Sequence, residues 1–189
     1  MNSAIYHDDL PYEILDGKQV YWLSSPTPMH NFVAENIHSI FKTYLAGKPF
    51  RSCLVPTDVR FSETDIAIPD VLICNRSLIT DKWIDGAPEL IVEIRSPSTS
   101  FRDLGYKKDL YEKHGVKEYW IVDPRIYEIQ VYTLCDGCYE LSGVYTHYTA
   151  ADIETMTDDD RNAVVSVFTS PIFSDLTVSL ADVFNDIEI

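Results

Sequence analysis

Basic residues are scarce in this chain: 15 Lys and Arg stand against 30 Asp and Glu in 189 residues, for a formal net charge of −15. Phosphate binding needs a positive field, so that balance argues against a protein that coats nucleic acid nonspecifically. Glycine is sparse as well, at 7 residues, and the 10 prolines follow no period, which excludes collagen-like and linker-type sequences. Long apolar runs are missing: no stretch approaches 18 consecutive apolar residues, so no transmembrane helix and no membrane partner is expected. The start of the chain, Met1 to Asp9, lacks the basic and apolar regions of a secretory signal. The expectation is a cytoplasmic globular protein, residues 1–189 in a single domain.

What is present supports a core. Apolar residues make up 46% and aromatics 12%, too much for a disordered chain despite the charge. The charge is also uneven. Residues 1–81 hold 10 acids and 6 bases, residues 82–125 hold 8 of each, and residues 126–189 hold 12 acids and one base. The middle of the chain therefore leaves room for a locally neutral or basic face.

The four cysteines are Cys53, Cys74, Cys135 and Cys138. Without an export signal, reduced thiols are the default. Cys135 and Cys138 have the spacing of half a zinc site, but no second pair and no matching histidines accompany them. Asp136-Gly137 between two β-rich runs reads better as a type I′ hairpin turn. A zinc-dependent role for that pair is the weaker alternative.

Local patterns give the order of elements. Asp16-Gly17 joins two short β runs into an N-terminal hairpin over about 12–23. Phe32, Val33, Ile37, Ile40, Phe41, Tyr44 and Leu45 recur at helical spacing, so 29–46 is an amphipathic helix that Gly47 stops. Strands follow at about 51–55, 57–62 and 68–74. Residues 89–95 read as a central strand covered on both faces. A helix over 102–114 and a strand over 119–122 complete a strand–helix–strand crossover, which favours parallel pairing. After that the pattern is all β, with strands at 126–134, 138–146, 164–168 and 176–180. Ala150 to Arg161, with five acids, reads as a solvated loop. The fold class is α/β, with a mixed central sheet, a core over about 28–125 and extra β-strands at both ends.

Acids and bases stand where apolar residues belong. Asp70 opens the run Val71 to Cys74, and Glu93 lies inside Leu90 to Ile94. Alternation places Glu89, Ile91, Glu93 and Arg95 on one face of the strand and Leu90, Val92 and Ile94 on the other. An ionised side chain is almost never fully buried without a partner, and for an acid in a central strand a metal or a lysine is the natural one. On a helical wheel starting at Asp103, the apolar stripe of Leu104, Tyr106, Leu110 and Tyr111 points to about 25–30°, and Lys107 falls at about 40°. Such a lysine either snorkels outward or meets a carboxylate.

These residues carry a resemblance. Pro69-Asp70, then Ala87-Pro88 leading to Glu93 and Ser96, then Asp103 to Tyr111 with Lys107, then Gly115 to Asp123-Pro124 resemble, in order and spacing, a large bacterial family of restriction-endonuclease-like proteins in the PD-(D/E)XK nuclease-like superfamily. The match is dense over about 28–125 and extends more thinly to Phe173–Phe184. The resemblance implies the superfamily's αβββαβ core. It implies hydrolysis of nucleic acid, DNA above all, with Mg²⁺ or Mn²⁺ held by Asp70 and Glu93 and with Lys107 as the catalytic lysine that orients the water or stabilises the phosphorane. A homodimer, with two sites for two strands, is a further expectation. The usual superfamily lysine two residues after the acid is Arg95 here, a departure; the family's own pattern moves the lysine to the helix. His30 and Glu35 on the first helix and Asp103 ahead of Lys107 are secondary candidates. Ser96 either binds a phosphate or caps the following helix. The alternative function is a non-catalytic interaction module that keeps the carboxylate–lysine set as an ion-pair network, a reading the net charge favours.

Overall fold

The computed structural model describes residues 12–21, 26–96 and 103–187, apart from the side chains of 103 and 104. Its centre is a six-stranded sheet in the order β11-β10-β9-β8-β6-β3. The strands are β3 (Phe50–Leu54), β6 (Val71–Asn75), β8 (Leu90–Ile94), β9 (Glu118–Asp123), β10 (Glu128–Cys135) and β11 (Cys138–Thr146). Only β8 and β9 pair in parallel; the other neighbours in this sheet are antiparallel. That single parallel step is the crossover expected between 89 and 123.

Every residue of β8 and β9 is buried. On one face Leu90, Val92, Ile94, Trp120 and Val122 pack against the helix α1 (Pro28–Tyr44) and the C-terminal segment. On the other, Ile91, Tyr119 and Ile121 pack with Leu110 and Tyr111 of α2 (Lys108–Lys113) and with the smaller sheet. Burying each large apolar side chain in these layers contributes roughly 1.5–3 kcal/mol, so the sheet's alternation is what fixes both faces.

Thr27 caps α1 by accepting the His30 N–H at 3.3 Å, and Pro28 sits in its first turn, where a missing N–H costs nothing. The buried positions are His30, Val33, Ala34, Ile37 and Phe41. The stripe therefore runs through a histidine, while Phe32, expected in it, is 43% exposed.

The second sheet has the order β2-β1-β5-β4-β7, built from β1 (Tyr12–Leu15), β2 (Lys18–Tyr21), β4 (Val59–Arg60), β5 (Ile66–Ala67) and β7 (Ile84–Asp85). The hairpin turn is the expected one: Asp16 and Gly17 have φ of 50° and 74°. The 57–62 run does not join the central sheet. Only Val59–Arg60 is a strand, and it lies in this smaller sheet, so the core order α1-β3-β6-β8-α2-β9 is reached by skipping it.

Two further expectations are corrected. The Ala150–Arg161 stretch is not a loop but two short helices, α3 (Ala150–Thr155) and α4 (Asp158–Ala163). Thr149 and Thr157 cap them by accepting from the N–H of Asp152 and Asp160, and acids in each first turn suit the helix dipole. Capping supports these helices although they bury no residue. The helix expected over 102–114 opens as a π-helical turn, Asp103–Lys107, before α2 begins. A wider turn breaks the 100° wheel, and Tyr106, expected in the apolar stripe, is 63% exposed. The cap proposed for this helix lies outside the described residues, save for Ser96, which is buried.

The last strands, β12 (Val167–Thr169) and β13 (Thr177–Ser179), form a separate hairpin ahead of α5 (Leu180–Val183). Glu118 fastens this segment to β9: its carboxylate accepts from the Ser170 hydroxyl at 2.7 Å, the Ile172 N–H at 3.1 Å and the Trp120 indole. No described helix is long and apolar enough to cross a membrane.

Candidate active site

The site forms around the C-terminal end of β8, where the sheet's alternation turns Glu93 away from α1 and toward α2. Glu93 is 2% exposed. Its Oε1 accepts from the Lys107 ammonium at 2.9 Å and from the Tyr111 hydroxyl at 2.6 Å. Lys107, 5% exposed, does not snorkel. The same ammonium lies 3.0 Å from Oε1 of Glu13, on β1, and that oxygen also accepts the Ile68 N–H at 2.8 Å. One lysine thus holds two buried carboxylates. Burial, and the charges of Glu93 and Glu13, push the Tyr111 hydroxyl well above the usual range, so it stays a proton donor.

Asp70 stands one step beyond the β6–β8 ladder. The antiparallel register pairs Val71 with Val92, and continuing it sets Asp70 opposite Glu93. The Asp70 carboxylate accepts the Ile94 N–H at 2.7 Å, replacing a ladder bond, and lies 3.1 Å from the His30 Nε2. His30 reaches it from the first turn of α1, across the sheet's end.

The other candidates separate. Arg95 pairs with Asp123 at 3.1 Å and not with Glu93. Glu35 is exposed on α1 and joins no ion pair among the described residues, because it lies off the buried stripe that carries His30. Asp103 begins the π-helical turn, and its side chain lies outside the described residues.

Sequence reasoning missed Glu13. Its signal was present: β1 alternates, and Glu13 shares the inward phase with Leu15, an acid in an apolar position. Tyr111 was read as core packing, and its hydroxyl contact with Glu93 needed the fold.

Among the described residues no group of three His, Cys, Asp or Glu side chains forms a metal-ligating cluster. The chemistry of the donors nevertheless fits a hard divalent cation. Glu13 and Glu93 share the Lys107 ammonium, and Asp70, opposite Glu93 in register, faces the His30 imidazole. Carboxylate oxygen is the ligand Mg²⁺ and Mn²⁺ prefer. Glu93 Oε1 already serves Lys107 and Tyr111, so a shared cation must draw on its second oxygen or displace the ammonium.

A mixed α/β architecture with this strand order defines a nuclease-like fold. A solved structure, a "putative nuclease belonging to DUF820 from Anabaena variabilis ATCC 29413", superposes with a TM-score of 0.72 at 19% identity, covering 97% of this chain and 95% of that one. Residues 3–160 match the family described as "Uma2: Putative restriction endonuclease". The chain belongs to that family, which supports a nuclease-type function. A comparison with curated proteins finds no match.

Proposed function

We propose that the protein is a metal-dependent endonuclease that hydrolyses phosphodiester bonds in DNA. The observation that carries this reading is the buried Lys107–Glu93 contact at 2.9 Å, next to Asp70 opposite Glu93 across the sheet. Asp70 and Glu93 are the residues that would hold Mg²⁺ or Mn²⁺. When bound, such an ion lowers the pKa of a coordinated water and neutralises charge developing on the phosphate. Lys107 supplies a fixed positive donor toward the attacking water or the phosphate oxygens, and Glu93 and Glu13 hold it in place, with Tyr111 donating to Glu93. His30 and the Ile94 N–H fix the Asp70 carboxylate before substrate arrives, so no reorganisation is spent on it. A homodimer would present two such centres to two strands.

One observation favours a second reading. Lys107 is already shared by Glu13 and Glu93, and a network closed in this way can serve as structure alone. The protein would then be a non-catalytic interaction module.

Calorimetric titration with Mg²⁺ and Mn²⁺, together with cleavage of supercoiled and linear DNA, decides between them. Asp70→Asn keeps an acceptor for the Ile94 N–H but removes the charge. Metal binding and metal-dependent cleavage that are both lost in Asp70→Asn support the endonuclease. A wild-type protein that neither binds these ions nor cuts any of several DNA and RNA substrates refutes it.

A further inference from the structure

Two arginines meet one carboxylate just beyond the site. Arg95 follows β8 and Asp123 ends β9, and the Arg95 N–H donates to the Val122 carbonyl at 2.7 Å, extending the parallel ladder by one step. Alternation puts Arg95 and Asp123 on the face that carries Glu93, two residues further along the strand. Asp123 is 4% exposed. It takes Arg125 through Nε at 3.0 Å and Nη2 at 2.7 Å, and Arg95 through Nη1 at 3.1 Å.

The cluster carries a surplus positive charge, since one carboxylate needs only one guanidinium. It also carries a surplus of donors. The Arg95 Nε is buried and has no hydrogen-bond partner among the described residues. The Arg125 side chain is half exposed, so part of its fork faces solvent while Asp123 fixes its plane. Burial alone would raise the Asp123 carboxyl, but the hydrogen bonds and charge of Arg125, and the charge of Arg95, outweigh it and hold it below the ordinary range. The clamp therefore stays ionised at neutral pH. A planar, pre-oriented guanidinium pair is what recognises a phosphate.

We infer that Arg95 and Arg125, clamped by Asp123, form a phosphate site that seats the backbone of the nucleic-acid strand beside the Asp70–Glu93 centre. The inference rests on the nuclease reading for its ligand, and it names residues that reading does not use. It also gives this acidic chain a local positive surface next to its carboxylates. The phosphate neighbouring the scissile one is the chemical group it takes.

The test measures binding separately from cutting. A short fluorescein-labelled DNA duplex is titrated with the full chain carrying Asp70→Asn, without metal, and its anisotropy is followed over a series of KCl concentrations. The Arg125→Gln change, added to that background, should weaken binding several-fold for any sequence and reduce the slope of log K against log salt by about one, the share of one phosphate contact. Arg125→Lys, which keeps the charge, should restore the slope while recovering the affinity only in part. Circular dichroism and urea midpoints of each variant exclude a folding cause. An unchanged slope and affinity in Arg125→Gln overturns the inference, as does a duplex that does not bind even at low salt. Inorganic phosphate competes for the same guanidinium donors, so it should displace the duplex better than chloride of equal ionic strength when Arg125 is present and no better than chloride in Arg125→Gln. Equal displacement with and without Arg125 overturns the inference. Cleavage by the wild type with an unchanged slope leaves the nuclease reading standing without the clamp. A changed slope without metal-dependent cleavage does the reverse.

Discussion

The ammonium of Lys107 and the carboxylate of Glu13 lie 3.0 Å apart, joining a helix after the central strand to the first strand of a different sheet. Glu93 completes the contact from the central sheet at 2.9 Å. The fold therefore depends on the same lysine that the proposed chemistry uses, and the two roles can be separated by measurement.

Lys107→Met should destabilise the protein by about 3–5 kcal/mol at neutral pH, because it removes the ammonium from between two buried carboxylates. Urea denaturation reads the loss. A loss under about 1 kcal/mol would show that the pair is hydrated and the network loose.

Asp65 offers a second pH signature. Burial would raise its carboxyl, but hydrogen bonds from His114, the Asp16 N–H and Lys113 outweigh this and hold it at about 2. A depressed folded pKa contributes stability that is present above the unfolded value near 3.9 and is lost as the pH falls toward 2. Asp65→Asn should lower stability at neutral pH and flatten the acid limb between about pH 4 and pH 2. Denaturant midpoints across that range check it, and an unaltered acid limb contradicts it.

Glu118 should behave in the opposite sense. Its carboxyl is raised, chiefly by burial, which the donors Ser170, Trp120 and Ile172 only partly offset. A raised folded pKa contributes stability that is complete below the unfolded value and disappears as the pH climbs through the folded one. Glu118→Gln should abolish that dependence. It should also cost about 1–3 kcal/mol at neutral pH, because an amide cannot accept from all three donors. Trp120 fluorescence during unfolding follows both effects; equal pH profiles for the two proteins would count against the assignment.

The turn between Cys135 and Cys138 tests the local reading. Those cysteines are register partners, and Asp136 and Gly137 between them have φ of 51° and 86°. Gly137→Ala should cost about 1–2 kcal/mol from the left-handed backbone alone, since no heavy atom lies within 4 Å of the added methyl. Metal analysis of protein purified without added metal should find no stoichiometric zinc. A zinc ion bound through the two thiols would overturn the hairpin account.

Much of this was legible along the chain, because it is local. The alternation through Leu90–Ile94 set the faces of the central strand, the Asp-Gly pairs set both hairpin turns, and the residues around Asp70, Glu93 and Lys107 carried the resemblance to a nuclease family that the match over 3–160 then showed. The sequence also left two acids and a lysine in apolar positions, which signals a buried polar site without saying how it closes. Only the tertiary structure decided that. Glu13 meets Lys107 because a small second sheet, assembled from runs as short as Val59–Arg60, brings the N-terminal hairpin over α2. Tyr106 turns outward because a π-helical turn resets the wheel. Arg95, expected near Glu93, instead joins Asp123 and Arg125 because the parallel pairing of β8 with β9 sets the ends of those strands side by side. Periodicity reports what a residue's own element buries; which distant charge it meets depends on strand order, and strand order is settled by long-range pairing.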